Sequence, residues 1–428
     1  MADRASVFEI AIIGAETVAG TATQGSRQLA SMKVTPSVAL ETSQFKPAGY
    51  KWNTTSVLNK EWTGSDVSGV ADYRELIYPL CSVLKNVTPT TPGGGVTARL
   101  WTIAPTTSSA DTPKTYTILT GSTIRNQRSA YCLFDSFGVK YTRNSGVEVS
   151  GSLIAQKALD DKTRFVYITG SPTGGTFTLT VGANTTAGIA YNASAGTVQT
   201  ALTGLASVGS GNATVAGGTA LPVGAFAVTF TGTFASTEVP TVSASGASLT
   251  GGTSPTANFA RIPPNVTASD VKPVIPTEVQ IRTATTQAGL AAGTILTRVL
   301  ECEWKIESRW GPIWTLNRAE GSWAAPVETE PSGTVTLKVG ADDQGMAYLN
   351  NIRAGSTSFL QIDATSTTAI EGTLYWQFTT QLAIKWTEIS TLEDSDGLVS
   401  VTYTGTLVHD ATWDKAIECV IQNDIATL

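Results

Sequence analysis

Apolar and polar residues alternate with a period of two along most of the 428-residue chain, in runs rich in Thr, Val, Ile, Tyr and Trp with Gly, Ser, Pro and Asp between them. Alternation of that kind turns one face of a strand to a core and the other to water. It predicts strands over residues 137–142, 147–154, 299–306, 382–387 and 399–407. It also assigns their faces. Val139, Tyr141, Val147, Val149, Ile384, Trp386, Val401 and Tyr403 should pack on a core, as should Leu300, Cys302, Trp304 and Ile306. The opposite face then carries Lys140, Thr142, Glu148, Ser150, Ser152, Lys385, Thr387, Thr402 and Thr404, together with Glu301, Glu303, Lys305 and Glu307. Helical spacing is confined to residues 70–84, 197–208 and, more weakly, 344–352. The expectation is a mainly β protein with one short helix in each unit.

Two stretches repeat. FGVKYT (137–142) aligns with LAIKWT (382–387), placing Lys140 over Lys385 and Tyr141 over Trp386. VEVSGSLIAQ, from Val147, aligns with VTYTGTLVHD, from Val401, placing Gly151 over Gly405 and Leu153 over Leu407. Upstream of each pair the same order recurs: a hairpin region, a helix, then a strand. Shared order is a stronger sign of duplication than hairpin similarity, which alternation supplies cheaply. Between the copies, residues 163–260 are nearly devoid of charge and dominated by Gly, Ala, Thr and Ser. FTLTV (177–181), AGIAY (187–191), a helix over 197–206, and strands over 213–216 and 225–231 predict a small folded module rather than a low-complexity linker. The proline-punctuated run 262–276 reads as an extended connection. Three parts follow: residues 1–162, an inserted β-rich module over 163–260, and 261–428.

Composition narrows the chemistry. A formal charge of −6 argues against a protein built to grip nucleic acid or an anionic membrane. The four cysteines (Cys81, Cys132, Cys302, Cys419) form no CxxC pair and are expected to be buried thiols. The apolar run at 8–15 is too short to span a bilayer, and no secretory signal pattern precedes it. With His409 as the single histidine, an HExxH site cannot exist, and no GxSxG, P-loop or GxGxxG motif is present. His409–Asp410 is expected to be a solvated strand end, and the acidic residues 391–397 and 341–343 ordinary turns without Ca²⁺-loop spacing. Pro92 with Gly93–Gly95 lacks the Lys-Ser/Thr of a phosphate cradle. Trp52, Trp304, Trp310, Trp314 and Trp386 are expected in core or interface rather than in a sugar site. No catalytic, cofactor or metal site is expected, and the chain is read as a non-enzyme.

FEIAIIGAETVAGTATQGSRQLASMKVTP and FKPAGYKW (45–52) near the start resemble the N-terminal arm of siphophage major tail tube proteins. RWGPIWTLNRAEGSW (309–323), VETEPSGTV and VSVTYTGTLVHDATWDKAIECVIQN resemble the C-terminal part of long actinophage-type tube subunits, and the inserted module is similar to a unit recurring in phage virion proteins. The resemblance implies two tandem tail-tube-type β-sandwich or barrel domains, each giving four strands to the wall of a tube of stacked rings. Three two-domain chains would make a pseudo-hexameric ring of about 24 strands, with a backbone diameter of roughly 45–50 Å and a lumen of about 35–40 Å. On that reading the protein is a virion component of the phage tail, assembled in the host cytoplasm, and it conducts genomic double-stranded DNA at infection. Its partners would be further copies of itself, a tape measure protein inside the tube, and tail terminator and baseplate or tail-tip proteins, with no membrane anchor. An N-terminal arm (about 1–30) and a long loop (41–62) would bridge adjacent rings. The DNA channel would be lined by Glu301, Glu303, Lys305, Glu307, Lys140, Glu148, Ser150, Lys385, Thr402 and Thr404, the lysines pairing with Glu148 or the strand glutamates. The competing class is a β-rich phage surface adhesin or carbohydrate-binding protein.

Overall fold

The computed structural model describes residues 9–121, 126–143, 145–235, 237–264, 266, 270–316, 323–395 and 397–428. It is mainly β: 52% of the chain is strand, with three α-helices among the described residues. The first part supplies β1 (Ile10–Ala15), β2 (Arg27–Leu29), β3 (Met32–Phe45), β4 (Thr55–Val70), α1 (Ile77–Val83), β5 (Arg99–Ile103), β6 (Tyr116–Gly121), β7 (Asn126–Thr142), β8 (Glu148–Ala155) and β9 (Leu159–Asp160). The middle segment supplies β10 (Thr163–Thr169), β11 (Gly174–Val181), β12 (Asn184–Thr185), β13 (Ile189–Ala190), α2 (Ala195–Thr203), β14 (Ala213–Ala216), β15 (Ala225–Phe230), β16 (Val242–Thr250) and β17 (Thr256–Ala260). The last part begins with β18 (Val279–Ala284), β19 (Thr294–Ile295), β20 (Val299–Glu307), β21 (Trp310–Ile313), β22 (Ala325–Glu328), β23 (Ser332–Gly340) and α3 (Asp343–Ala354). It ends with β24 (Ser358–Glu371), β25 (Leu374–Ile389), β26 (Glu393–Ser395), β27 (Leu398–Leu407) and β28 (Ile417–Asn423).

Eight of these strands form one continuous antiparallel row, β3–β4–β8–β7–β20–β23–β27–β25. Its first four strands precede the middle segment and its last four follow it. They meet where β7 pairs with β20, from Phe137 opposite Ile306 to Thr142 opposite Glu301. β7 and β25 are long enough to leave this row at their N-terminal ends and enter a second layer. There β2–β1–β6–β7 forms one group and β19–β18–β24–β25–β28–β5 the other. The pairing orders of the two parts match. β1, β2, β3, β4, β6, β7 and β8 hold the places held by β18, β19, β20, β23, β24, β25 and β27. A single apolar cluster drawn from both parts fills the space between the layers. α3 is seated on it by Tyr348, whose ring meets those of Trp386 and Tyr403.

The two parts are knitted by more than the row. β5, from the first, pairs with β28 at the end of the chain, and Arg74 reaches Asp424 at 2.6 Å. Arg309 is buried between Asp111, at 2.6 Å, and Glu328, and also donates to the carbonyls of Val83 and Leu84. Removing one partner of such a buried set costs about 3–5 kcal/mol.

The middle segment has its own core, in which Val166, Phe177, Leu179, Val198, Leu202, Phe226, Val228 and Phe259 are buried. Its sheets are β14–β15–β10–β17 and β12–β11–β13, with β16 on the other side of β11. α2 starts at Ser194, whose hydroxyl accepts the Thr197 N–H. The module lies beside the second layer, across a cleft lined by Ile12, Thr117 and Leu119 on one side and Phe165, Ala227 and Thr229 on the other. β10, β16 and β17 went unread in the sequence.

Several expectations are corrected. The helix read over 70–84 is only α1, because the Asp72 carboxylate accepts the N–H groups of Arg74 and Glu75 and holds a turn before it. Of the expected N-terminal arm, residues 1–8 lie outside the described residues, and from Ile10 onward the chain is β1 and β2 of the second layer rather than a free arm. The expected loop 41–62 is mostly strand, the outer part of the β3–β4 hairpin. The connection 262–276 is docked where described: Val274 is fully buried, and Tyr73 and Ala71 exchange backbone hydrogen bonds with Lys272 and Val274. Residues 265 and 267–269 of it lie outside the described residues.

Gly151 and Gly405, aligned in the sequence, hold equivalent places in the pairing, but the alignment upstream of them is slipped. Gly151 lies opposite Phe137, and Gly405 opposite Trp386. Both glycines are forced by close approach: a Cβ would come within 2.5 Å of Ser136 O or 2.7 Å of Ile384 Cγ2. Phe137, not Tyr141, therefore occupies the place of Trp386, and Lys140 is not the counterpart of Lys385. An even slip of four keeps every side chain on its expected face, which is why the letter match concealed it.

Candidate functional site

All ten residues assigned to a channel lie on one face of the eight-stranded row. The register strings them across neighbouring strands. One line runs Glu148–Lys140–Glu303–Thr336–Thr404. The next runs Ser150–Gly138–Lys305–Thr334–Thr406–Lys385. Glu301 and Thr402 flank Lys338 in a third, and Glu307 stands opposite Ser332 in a fourth. β20 positions its four charges by alternation, since Cys302, Trp304 and Ile306 are buried on the other side. A bulge at Leu300 shifts the register and leaves that residue half-buried rather than fully in the core. The face is continued by Lys33, Thr35, Asp66 and Ser68 on β3 and β4.

Lysines and carboxylates are interspersed on this face and partly neutralise one another. Lys140 Nζ lies 2.9 Å from Glu301 and Lys305 Nζ 2.5 Å from Glu307. Lys338 meets Glu393 at 3.2 Å. The hydrogen bond to Glu301 pushes the Lys140 ammonium above its ordinary value, so it stays charged. Exposed pairs of this kind contribute little to stability. They do fix where the cations point, and they leave them less free to meet an outside anion. Lys140 and Lys305 thus have the glutamate partners expected of them. Lys385 is exposed and has no ion pair among the described residues. One end of the face is covered: Trp314 packs edge-on against Trp62 at 5.6 Å, and Trp323 stacks at a tilt on Tyr131 at 4.5 Å. Trp310 and Trp323 donate their indole N–H groups to Ser82 O and Ala155 O.

The remaining candidates are structural. His409 Nε2 lies 3.1 Å from Asp414 at an exposed turn. Asp342 caps α3 by accepting the Gly345 N–H, and Asp394 accepts the Gly397 N–H within its turn. Asp396 lies outside the described residues. Glu371 accepts the N–H groups of Val96, Thr97 and Ala98 after the Gly93–Gly95 turn. Trp304, Trp310 and Trp386 are buried, whereas Trp52 is 82% exposed at the end of the β3–β4 hairpin. The four cysteines are buried and unpaired, and burial pushes the Cys81 and Cys419 thiols up to about 12. No group of His, Cys, Asp or Glu able to hold a metal stands among the described residues, and no described helix is long and apolar enough to cross a membrane.

No protein-family model matches the chain, and comparison with curated proteins finds no match. Two features of the site escaped the sequence reading: the β7–β20 junction that makes the face continuous, and the aromatic cover at one end. Backbone edges carry no side-chain signature, so the first had no signal. The density of tryptophan over 304–323 was the available signal for the second.

Proposed function

We propose that this chain is the major tail tube subunit of a long-tailed phage, built from two duplicated tube-type domains with an inserted module, and that its polar sheet face lines a channel for genomic DNA. The observation that carries the reading is the eight-stranded row, in which two matching four-stranded blocks already join edge to edge within one chain. Three such chains joined in the same way give the roughly 24 strands of a barrel wide enough for a duplex. Two further features support it. The inserted module lies beside the second layer, away from the polar face, where it would decorate the outside. The β3–β4 hairpin exposes Val38, Leu40, Phe45, Tyr50, Trp52, Val57 and Leu58, apolar side chains spread over both of its faces and its tip and suited to contact between stacked rings.

Tape measure, terminator and tail-tip proteins are the partners this role entails, and the virion tail the location. The test is negative-stain imaging with mass measurement of the purified chain. Stacked rings of three chains with an open centre are expected. A monomer, or a small closed oligomer without a bore, defeats the reading and favours a surface adhesin.

A further inference from the structure

The row of eight strands ends in two edges. One is β3, which pairs only with β4 among the described residues. The other is the C-terminal end of β25 and the residues after it, since β24 covers the same side of β25 only as far as Ile384. The β7–β20 junction joins the corresponding edges of the two parts inside the chain, and so serves as a template for what meets these two.

The correspondence can be set residue by residue. Val67 and Val335 lie opposite Gly151 and Gly405 respectively, so Val34, which pairs with Val67, takes the place of Trp304. Met32, Lys33 and Thr35 then correspond to Cys302, Glu303 and Lys305. On the other edge, Glu388 and Ile389 lie opposite Thr404 and Tyr403, as Gly138 and Val139 lie opposite Ser150 and Val149. We infer that the Glu388–Thr391 edge of one chain pairs antiparallel with the Met32–Thr35 edge of a second copy, with Ile389 opposite Val34, Ser390 opposite Lys33 and Glu388 opposite Thr35. The inference rests on the tube reading and specifies how one subunit meets the next.

Three features of the free chain fit this register. Val139 at the internal junction is fully buried, whereas its counterpart Ile389 is 39% exposed for want of a neighbour. An open groove of about 490 Å³ runs along the β3 edge, lined by Ala30, Ser31, Met32, Lys33 and Val34. At the internal junction the corresponding ground is partly occupied by Tyr141 and Thr142 of β7. Charge is complementary too. Lys33 and Glu388 have no ion pair among the described residues, and this register sets them diagonally across the seam, much as Lys140 reaches Glu301 diagonally within the chain. The ladder also has a natural end. Pro36, which has no N–H to donate, stands where Ile306 closes the β7–β20 pairing.

The test is disulfide trapping. Lys33→Cys with Ser390→Cys should join chains under mild oxidation, stopping at three chains in a denaturing gel. Lys33→Cys with Lys385→Cys, an offset pair, should give at least tenfold less product. The native cysteines are buried and add no background. Lys33→Glu should raise the concentration needed for assembly about two- to five-fold, and adding Glu388→Lys should restore it. Rings that form normally but trap at the offset pair, or at neither, overturn this register while leaving the tube reading intact. A chain that stays monomeric overturns both.

Discussion

Asp72 holds together pieces far apart in sequence: its carboxylate accepts the N–H groups of Arg74, Glu75 and Lys272. Burial pushes it up to about 6 from its ordinary 3.8, helped by the neighbouring Glu75, despite those hydrogen bonds. An acid raised in this way binds its proton more tightly in the folded state. Its contribution to stability is complete below about pH 3.8 and is lost as pH rises through about 6. Asp72→Asn removes that titration. Urea unfolding of the variant and the parent at pH 4 and pH 7 should show their stability difference moving by about 2–3 kcal/mol in favour of Asn at the higher pH. A pH-independent difference would mean that Asp72 is ionised throughout. Nearby, Glu75 accepts from the N–H groups of Ala30 and Ser31, fixing the chain where the β3 edge begins. Buried carboxylates thus set the position of an edge whose outward side has no strand partner among the described residues.

Element by element, alternation was informative because one face of each strand in the row is buried. Cys302, Trp304 and Ile306 against Glu301, Glu303 and Glu307 could be sorted without coordinates, and the structure sorts them the same way. Strand partners could not be read. Nothing in β7 announces β20, and nothing in β5 announces β28, because ladders are made by the backbone that every residue shares. Bulges in β7 and β25 shift the register by a further residue, and the likeness of FGVKYT to LAIKWT set Lys140 over Lys385 although the two hold different places. The inserted module was legible as a unit since its apolar positions form a separate core. It is also attached simply: Phe165 and Ala260 lie directly opposite each other in β10 and β17, so its two connections leave side by side. Joining Lys162 to Arg261 through a short Gly-Ser linker should therefore leave the two-layer body folded and, on the proposed function, able to form tubes in negative stain. A deletion variant that is folded by circular dichroism yet never polymerises would show that the module takes part in assembly.

At the scale of the whole molecule, the proposed channel requires that a duplex slide past the polar face without being held. DNA carries one charge per ~1.7 Å, and each lysine or arginine that meets a phosphate adds salt-dependent affinity. Lys140 and Lys305 are committed to Glu301 and Glu307, which leaves few free cations along β7 and β20. Reversing Glu301 and Glu303 to lysine removes one of those partners and adds positive charge on every chain around a ring. Both positions are half-exposed on the sheet face, so the double variant should fold and assemble as the parent does. Tubes of Glu301→Lys with Glu303→Lys should retain short duplex DNA at low salt and release it as salt rises, with the retained DNA protected from nuclease by the wall. Parent tubes should retain little under the same conditions. Intact variant tubes that bind no more DNA than the parent, or whose bound DNA is freely digested, would place these strands on the outside and remove the channel assignment.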